Sequence, residues 1–456
     1  MTMTPDADVP LHLAGNNAPI SEEVTLKPSE VIGAIPEKLS GQYFRNGPNP
    51  RTGWSPHYFA GDGMIHTIAI ENGEATWYRN RYVRTPLFEH PGESRFALAF
   101  DPVTSRIDYR VSTANTHLIA HAGRLFALEE GGFPYEVTPE LATIGAFTFD
   151  GALRTPMTAH PKTCPITGEL LFFGYRLRPP YLTYYRASPQ GEVLQTQVVD
   201  VPRATMMHDF AVTANYAIFM DLPVVFDAES AGAGGPPWRW DDGHRARFGV
   251  LPRAGGEAVV RWFDIDPCFV WHTMNAFEDQ DTITISGSRV PTLWRDGPQD
   301  VGGGLPSLHQ WVLDLRTGRV TETRLDDAPS EYPRVADGSI GLPHRYGYTV
   351  SFSMDAEPGH SEIYKYDLAG GGTRGVHRLP SGHTCGEAVF VPRGDRPSTS
   401  GEDDGYLMTF AHDRARGTGY LAILDAADLG AAPVAEIHVP VRIPTGFHGN
   451  WIPGHR

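Results

Sequence analysis

Four histidines stand in stretches that a surface histidine would not choose. His160 lies in PMTAHPKTCPITGELLFFGY, His208 in TMMHDFAVTANYAIFMDLP, His272 in CFVWHTMNAFED and His448 in TGFHGNW. Each follows or precedes aromatic or methionine side chains and flanks an apolar, strand-like run. Imidazole binds Zn, Cu, Fe and Ni, so the residue type points to a transition metal without choosing one. The gaps between the four are 48, 64 and 176 residues, and no local metal motif has such spacing. The chain has 19 histidines, so a single one reads more readily as a surface group or a satisfied core donor. Only as a set do they point to a site, and only in a fold that returns repeatedly to one axis.

The elements available to do this are short. From about Gly41 onward, apolar or alternating runs are separated by Gly, Pro, Asn and Asp, which is a strand-and-turn signature. Examples are EATWYRNRYVRT, GRLFALEEGG, NYAIFMDLP, YGYTVSFS and GYLMTFAHD. No long segment has a helical period; short helices are expected in HPGESRFALAF and WRDGPQDVG. Three segments share one plan: HQWVLDLRTGRVTETRL, EIYKYDLAGGGTRGVHRL and YLAILDAADLGAAPVAEIHV. In each, an apolar strand ends in Asp, a turn follows, and a second strand returns. Recurring hairpins of this kind favour propeller blades, with a large sandwich or barrel as the alternative. No linker divides the chain, so residues 1–20 are expected to be a flexible arm and residues 21–456 a single domain.

Composition excludes several classes. The net charge of −16 argues against a phosphate-backbone partner, which demands a basic surface. Cys164, Cys268 and Cys385 are odd in number and far apart, which implies neither a disulfide framework nor a zinc ribbon and suits a reducing compartment. The N-terminus lacks the basic and apolar regions of a signal peptide, and no apolar run approaches the roughly 20 residues of a membrane helix. A cytoplasmic protein is expected, with peripheral membrane contact left open. GGGTRG (Gly370 to Gly375) matches G-x-G-x-x-G, but strand-like VHRLPSGH follows in place of a helix, so it reads as a hairpin turn.

Taken in order, LSGQYFRNGPNP, HYFAGDGMIH, NRYVRT, TAHPKTCPITGELLFFGY, MMHDFAVTANYAIFMDLP, RFGVLP, WHTMNAFED, EYPR, GEAVFVPR and DDGYLMTF resemble the carotenoid cleavage oxygenases. The resemblance runs from about Leu39 to the C-terminus, and MMHDFAVTANYAIFMDLP is most similar to the plant enzymes. It implies an all-β fold, a seven-bladed β-propeller capped by loops and short helices over an axial iron site. It also implies one Fe(II) per chain, held by His160, His208, His272 and His448. Glu130 in LEEGG, Glu331 in EYPR and Glu387 in CGEAVF match the carboxylates that accept the N–H of the ligating imidazoles. Such a bond selects the tautomer, holds the ring and makes the ligand more basic. Glu129 and Glu130, read as strand neighbours, point to opposite faces, and the motif selects Glu130.

By the same resemblance Thr116, in TANTHLI, is the residue whose methyl occludes one open metal position. The other position takes O2, and both oxygen atoms are added across a conjugated C=C bond to give two carbonyl products without a reductant. Trp271 is the first candidate to stabilise developing cation character. Tyr82, Met207, Phe269 and Phe447 are expected along the tunnel for an apolar alkene, although for most such residues packing alone is the stronger reading. The hydroxystilbene-cleaving branch of the family carries Lys just before the carboxylate partner. Here that residue is Glu129, which favours a carotenoid or apocarotenoid; Tyr82 keeps the stilbene alternative open. A non-enzymatic propeller scaffold is the remote alternative, and a zinc hydrolase is poorer, since four histidines would close its tetrahedron. A monomer or homodimer is expected.

Overall fold

The computed structural model describes residues 9–232, 237–253, 255, 259–297, 303–353, 360–370, 373–394 and 401–454. Among the described residues, seven sheets have four or more strands, and each is a set of antiparallel neighbours drawn mainly from one stretch of chain. This is a seven-bladed β-propeller, as the sequence led us to expect, with very little helix. Chain contacts group the protein into two units: residues 1–154, 353–363 and 375–456 in one, and 155–352 and 364–374 in the other. The boundary between them falls inside two strands, Glu362–Asp367 and Thr373–Arg378, which belong to one sheet.

In the unit that contains both chain ends, the first sheet is closed by the last strand. Gly449–Pro453 pairs antiparallel with Gly41–Pro48, with Tyr43 opposite Trp451 and Arg45 opposite Gly449. The side chains of Tyr43, Ile68, Tyr78, Met408, Leu421 and Ile437 fill one core cluster of this unit. In the other unit, Phe248, Ile283, Ile285, Trp311 and Leu313 anchor a second. Burying a side chain of this size stabilises by about 1.5–3 kcal/mol, so alternating apolar strands are held face to face without long helices.

The recurring aspartates have a local cause. Asp314 accepts from the backbone N–H groups of Arg316 and Thr317 at 2.8 Å, Asp367 from that of Gly370 at 2.8 Å, and Asp425 from that of Ala427 at 2.9 Å. Each carboxylate ends a strand by binding the turn that follows it. Two short helices, Pro86–Glu89 and Arg95–Ala99, are capped by the hydroxyls of Thr85 and Ser94. The second realises the expectation for HPGESRFALAF. No helix forms over 294–297, and residues 298–302 of WRDGPQDVG lie outside the described residues. In GGGTRG, Gly370 ends a turn and Thr373 begins a strand, with 371–372 outside the described residues.

The expected flexible arm needs correction. Residues 1–8 lie outside the described residues, but the following stretch is bound. Thr445 N–H donates to the Asn16 carbonyl at 2.9 Å, and Arg442 donates to the carbonyls of Asn16 and Pro19. Ile20 and the Asn49 amide exchange two hydrogen bonds at 2.8 and 2.7 Å. Backbone carbonyls and the side chains of His12 and Asn17 both supply partners to this stretch.

Five strands carry or adjoin the candidate ligands and their carboxylate partners, and each lies at an edge of its sheet: β1 (Lys162–Thr163), β2 (Phe210–Val212), β3 (Phe269–Asp279), β4 (Ser330–Arg334) and β5 (Gly449–Pro453).

Candidate metal centre

The histidines occupy equivalent places. His160 and His208 stand two residues before β1 and β2, and His448 one residue before β5. His272 lies within β3, where the pairing with the next strand shifts register between Val270 and Thr273. Each edge strand thus delivers an imidazole just where its backbone ladder is incomplete.

In the unit containing residues 155–352, three of them converge. His160 Nε2 is 3.1 Å from His208 Nε2, which is 3.2 Å from His272 Nε2. The Nδ1 of His272 donates to Glu331 Oε2 at 2.7 Å, which leaves its Nε2 as a lone pair. His208 Nε2 carries at most one proton and faces two nitrogens, so hydrogen bonding cannot serve all three. A shared cation can. At a metal–nitrogen distance of about 2.1 Å, right-angled ligands stand roughly 3.0 Å apart and tetrahedral ones roughly 3.4 Å. Both observed spacings fall short of the tetrahedral value, and the His160–His208 one lies nearer the right-angled value, so the residues fit a metal with more than four positions.

Sequence reasoning missed two residues around these rings. Tyr332 stacks on His272, with centroids 5.4 Å apart and planes at 21°. Its φ of 53° is unusual for a bulky residue, and it sits in a register shift between β4 and the next strand. The kink lets Tyr332 N–H bond the same Glu331 oxygen that His272 binds. Asp209, directly after His208, is 1% exposed and binds Lys162 and Thr273. Burial alone would raise this carboxyl; the Lys162 ammonium and the Thr273 bond overcome that and hold it below the usual carboxylate range. Trp271 presents an edge-to-face contact to His208, with centroids 5.0 Å apart, and Phe269 packs edge-on to Trp271. Met207, by contrast, is embedded in a core cluster with Leu171, Phe173 and Phe219.

In the other unit, His448 is buried, and its Nδ1 bonds Glu387 Oε1 at 3.1 Å. Glu387 Oε2 accepts from Gly449 N–H at 2.9 Å. The His448 N–H donates to the Thr116 carbonyl at 3.2 Å, so the threonine singled out by the motif adjoins this histidine. The Thr116 hydroxyl is itself held by Asn115 Oδ1 at 3.0 Å. Phe447 stacks on Phe59 and meets Tyr58 edge-on. Tyr82 has its hydroxyl bonded to the Asn49 amide and the Ile20 carbonyl, and its ring packs on Met64 and Phe88. That burial pushes its phenol up to about 12.

The two adjacent glutamates also differ from expectation. The strand ends at Leu128, so Glu129 and Glu130 lie in the turn beyond it. Glu129 is buried, paired with Arg95 through both oxygens at 3.0 and 2.7 Å, and bonded by Ser112 Oγ and Gly131 N–H. Glu130 is half-buried.

Comparison with known proteins agrees with this geometry. The family model described as retinal pigment epithelial membrane protein matches residues 17–453. A carotenoid cleavage oxygenase of Mycobacterium tuberculosis is 37% identical, over 97% of each chain. The chain belongs to the carotenoid cleavage oxygenase family. Another member, a carotenoid 9,10(9',10')-cleavage dioxygenase of Crocus sativus, is 35% identical over 98% of this chain and 90% of its own. Among solved structures, the lignostilbene dioxygenase of Pseudomonas brassicacearum superposes with a TM-score of 0.87 at 29% identity, covering 99% of this chain and 100% of that one. A cobalt-substituted apocarotenoid oxygenase of Synechocystis gives 0.84 at 27% identity, covering 96% and 97%. This family member is a dioxygenase.

Proposed function

We propose that the enzyme is a non-haem Fe(II) dioxygenase that cleaves a conjugated C=C bond of a carotenoid or apocarotenoid, giving two carbonyl products. The observation that carries this is the donor set. His160, His208, His272 and His448 would all be neutral nitrogen ligands, and the first three stand in a row with neighbouring nitrogens 3.1 and 3.2 Å apart. We assign Glu130, Glu331 and Glu387 as the carboxylate partners of the ligands, with one iron per chain. Bound iron would supply the electron exchange through which O2 reaches the alkene. Both atoms of O2 end in the two carbonyls and the alkene provides the electrons, so no reductant is consumed.

The chain's own residues do the rest. Glu331 and Glu387 keep the imidazoles of His272 and His448 in the Nδ1–H tautomer, and Thr116 adjoins His448 with its hydroxyl turned to Asn115. Trp271 places its ring against His208, within reach of positive charge developing on the alkene. Phe269 and Phe447 would provide apolar surface for the substrate.

A hydroxystilbene substrate is the second reading, favoured by the similarity to the Pseudomonas brassicacearum enzyme. Two features weigh against it. Glu129 is bound in a pair with Arg95, and no lysine precedes Glu130 to hold a phenolate. The Tyr82 hydroxyl is occupied by Asn49 and Ile20. Aerobic incubation with β-carotene, apocarotenals and resveratrol, with products identified by mass, tests the reading. Aldehydes from a carotenoid or apocarotenal are expected, and cleavage of resveratrol alone would overturn the substrate assignment.

A further inference from the structure

The strands β1, β2 and β3 belong to three different sheets, so no backbone ladder sets the spacing of His160, His208 and His272. Apolar packing between sheets is non-directional and tolerates small slips. Something directional must hold three imidazoles at 3.1 and 3.2 Å. One buried carboxylate is placed to do so. Asp209 follows His208 directly. Its Oδ1 takes the Lys162 ammonium at 2.8 Å, two residues after His160. Its Oδ2 takes both the backbone N–H and the hydroxyl of Thr273 at 2.8 Å, one residue after His272. Its own strand start is bound as well, through Phe210 N–H at 2.8 Å. Every tie is charge-assisted and short, and the side chain is 1% exposed.

We propose that Asp209 is a positioning residue that sets the mutual spacing of three ligands and thereby selects the metal. It holds the nitrogens at 3.1 and 3.2 Å, closer together than a tetrahedral site would place them, which suits a six-coordinate divalent ion and disfavours zinc, whose closed sites are tetrahedral. The inference rests on reading His160, His208 and His272 as ligands. Asp209 touches no substrate and donates nothing to the metal. It acts because a carboxylate with four bonds to three edge strands cannot rotate without breaking them.

The test uses metal-free full-length protein titrated with Co(II) and with Zn(II), read by visible absorption and by competition. The wild type should give the weak absorption of six-coordinate cobalt. Asp209→Asn keeps the shape but loses the Lys162 ion pair. It should give the intense bands of tetrahedral cobalt and shift the Zn(II)-to-Co(II) preference toward zinc by about tenfold or more. Thr273→Val removes one hydroxyl and leaves the backbone bond, so it should shift both readouts the same way by less. A folded Asp209→Asn protein with wild-type spectrum and preference would overturn the proposal, since a merely structural aspartate would lower the melting temperature without changing cobalt's geometry. Should Asp209→Asn not fold, an unchanged preference in Thr273→Val overturns it instead. His208→Ala separates the two levels. If it keeps stoichiometric metal, the ligand reading fails and the proposal with it. If it loses metal while Asp209→Asn behaves as wild type, the positioning role alone fails.

Discussion

His272 and His448 each bond a glutamate through Nδ1, but the two carboxylates are used differently. Glu331 accepts both His272 Nδ1–H and Tyr332 N–H on Oε2, while its Oε1 is buried with no hydrogen-bond partner among the described residues. Glu387 divides the work: Oε1 takes His448 Nδ1–H and Oε2 takes Gly449 N–H. The first arrangement needs a kinked strand and a left-handed Tyr332 to bring both donors to one oxygen. The second needs a residue without a side chain after the ligand, because a Cβ at Gly449 would collide with the Tyr43 hydroxyl. Both make the ligand nitrogen more basic, and they should tolerate replacement unequally.

Removing a ligand should have the largest effect. His272→Ala and His448→Ala should each lose stoichiometric metal and product formation, measured by metal analysis and oxygen uptake. Retained metal in either would detach that histidine from the comparison. Next comes Glu387→Gln. An amide offers one acceptor and a donor, so either His448 Nδ1–H or Gly449 N–H would face an NH2 group. A loss in metal affinity of about 10–100-fold is expected, by competition against a chelator. Glu331→Gln should cost less, because the amide oxygen can replace Oε2 and serve both donors. A loss of no more than about tenfold is expected, and an equal or larger loss than in Glu387→Gln would break the proposed asymmetry. The smallest effect should come from Tyr332→Gly. Relief of the left-handed backbone is worth about 1–2 kcal/mol, offset by loss of a ring stack worth about 0.5–1.5 kcal/mol. The melting temperature should therefore move by only a few degrees.

Much of the site was legible in the sequence because its parts are carried by local strings. The four histidines, Glu331, Glu387 and Thr116 each sit in a stretch whose neighbours identify it, and the Asp-terminated hairpins announce the blades. Asp209 was in view inside MMHDFAVT but carried no signal. Its role depends on Lys162 and Thr273, which lie 47 and 64 residues away. Tyr82 and Met207 show the converse case: an aromatic or thioether beside a motif looks the same in sequence whether it faces a ligand or a core. The adjacent Glu129 and Glu130 could not be separated by strand alternation, since the strand stops at Leu128, and the pairing of Glu129 with Arg95 joins residues 34 apart in sequence.

The sequence by itself determined the fold class, the identity of the candidate ligands and the family, because these reside in residue order and short-range pattern. The tertiary structure alone decided how far apart the imidazoles of His160, His208 and His272 stand, which glutamate oxygen serves which donor, and where residues 9–20 are bound. Those are distances between edge strands of separate sheets, and between chain segments hundreds of residues apart. They depend on hydrogen bonds between segments distant in sequence, for which no local stretch carries the geometry.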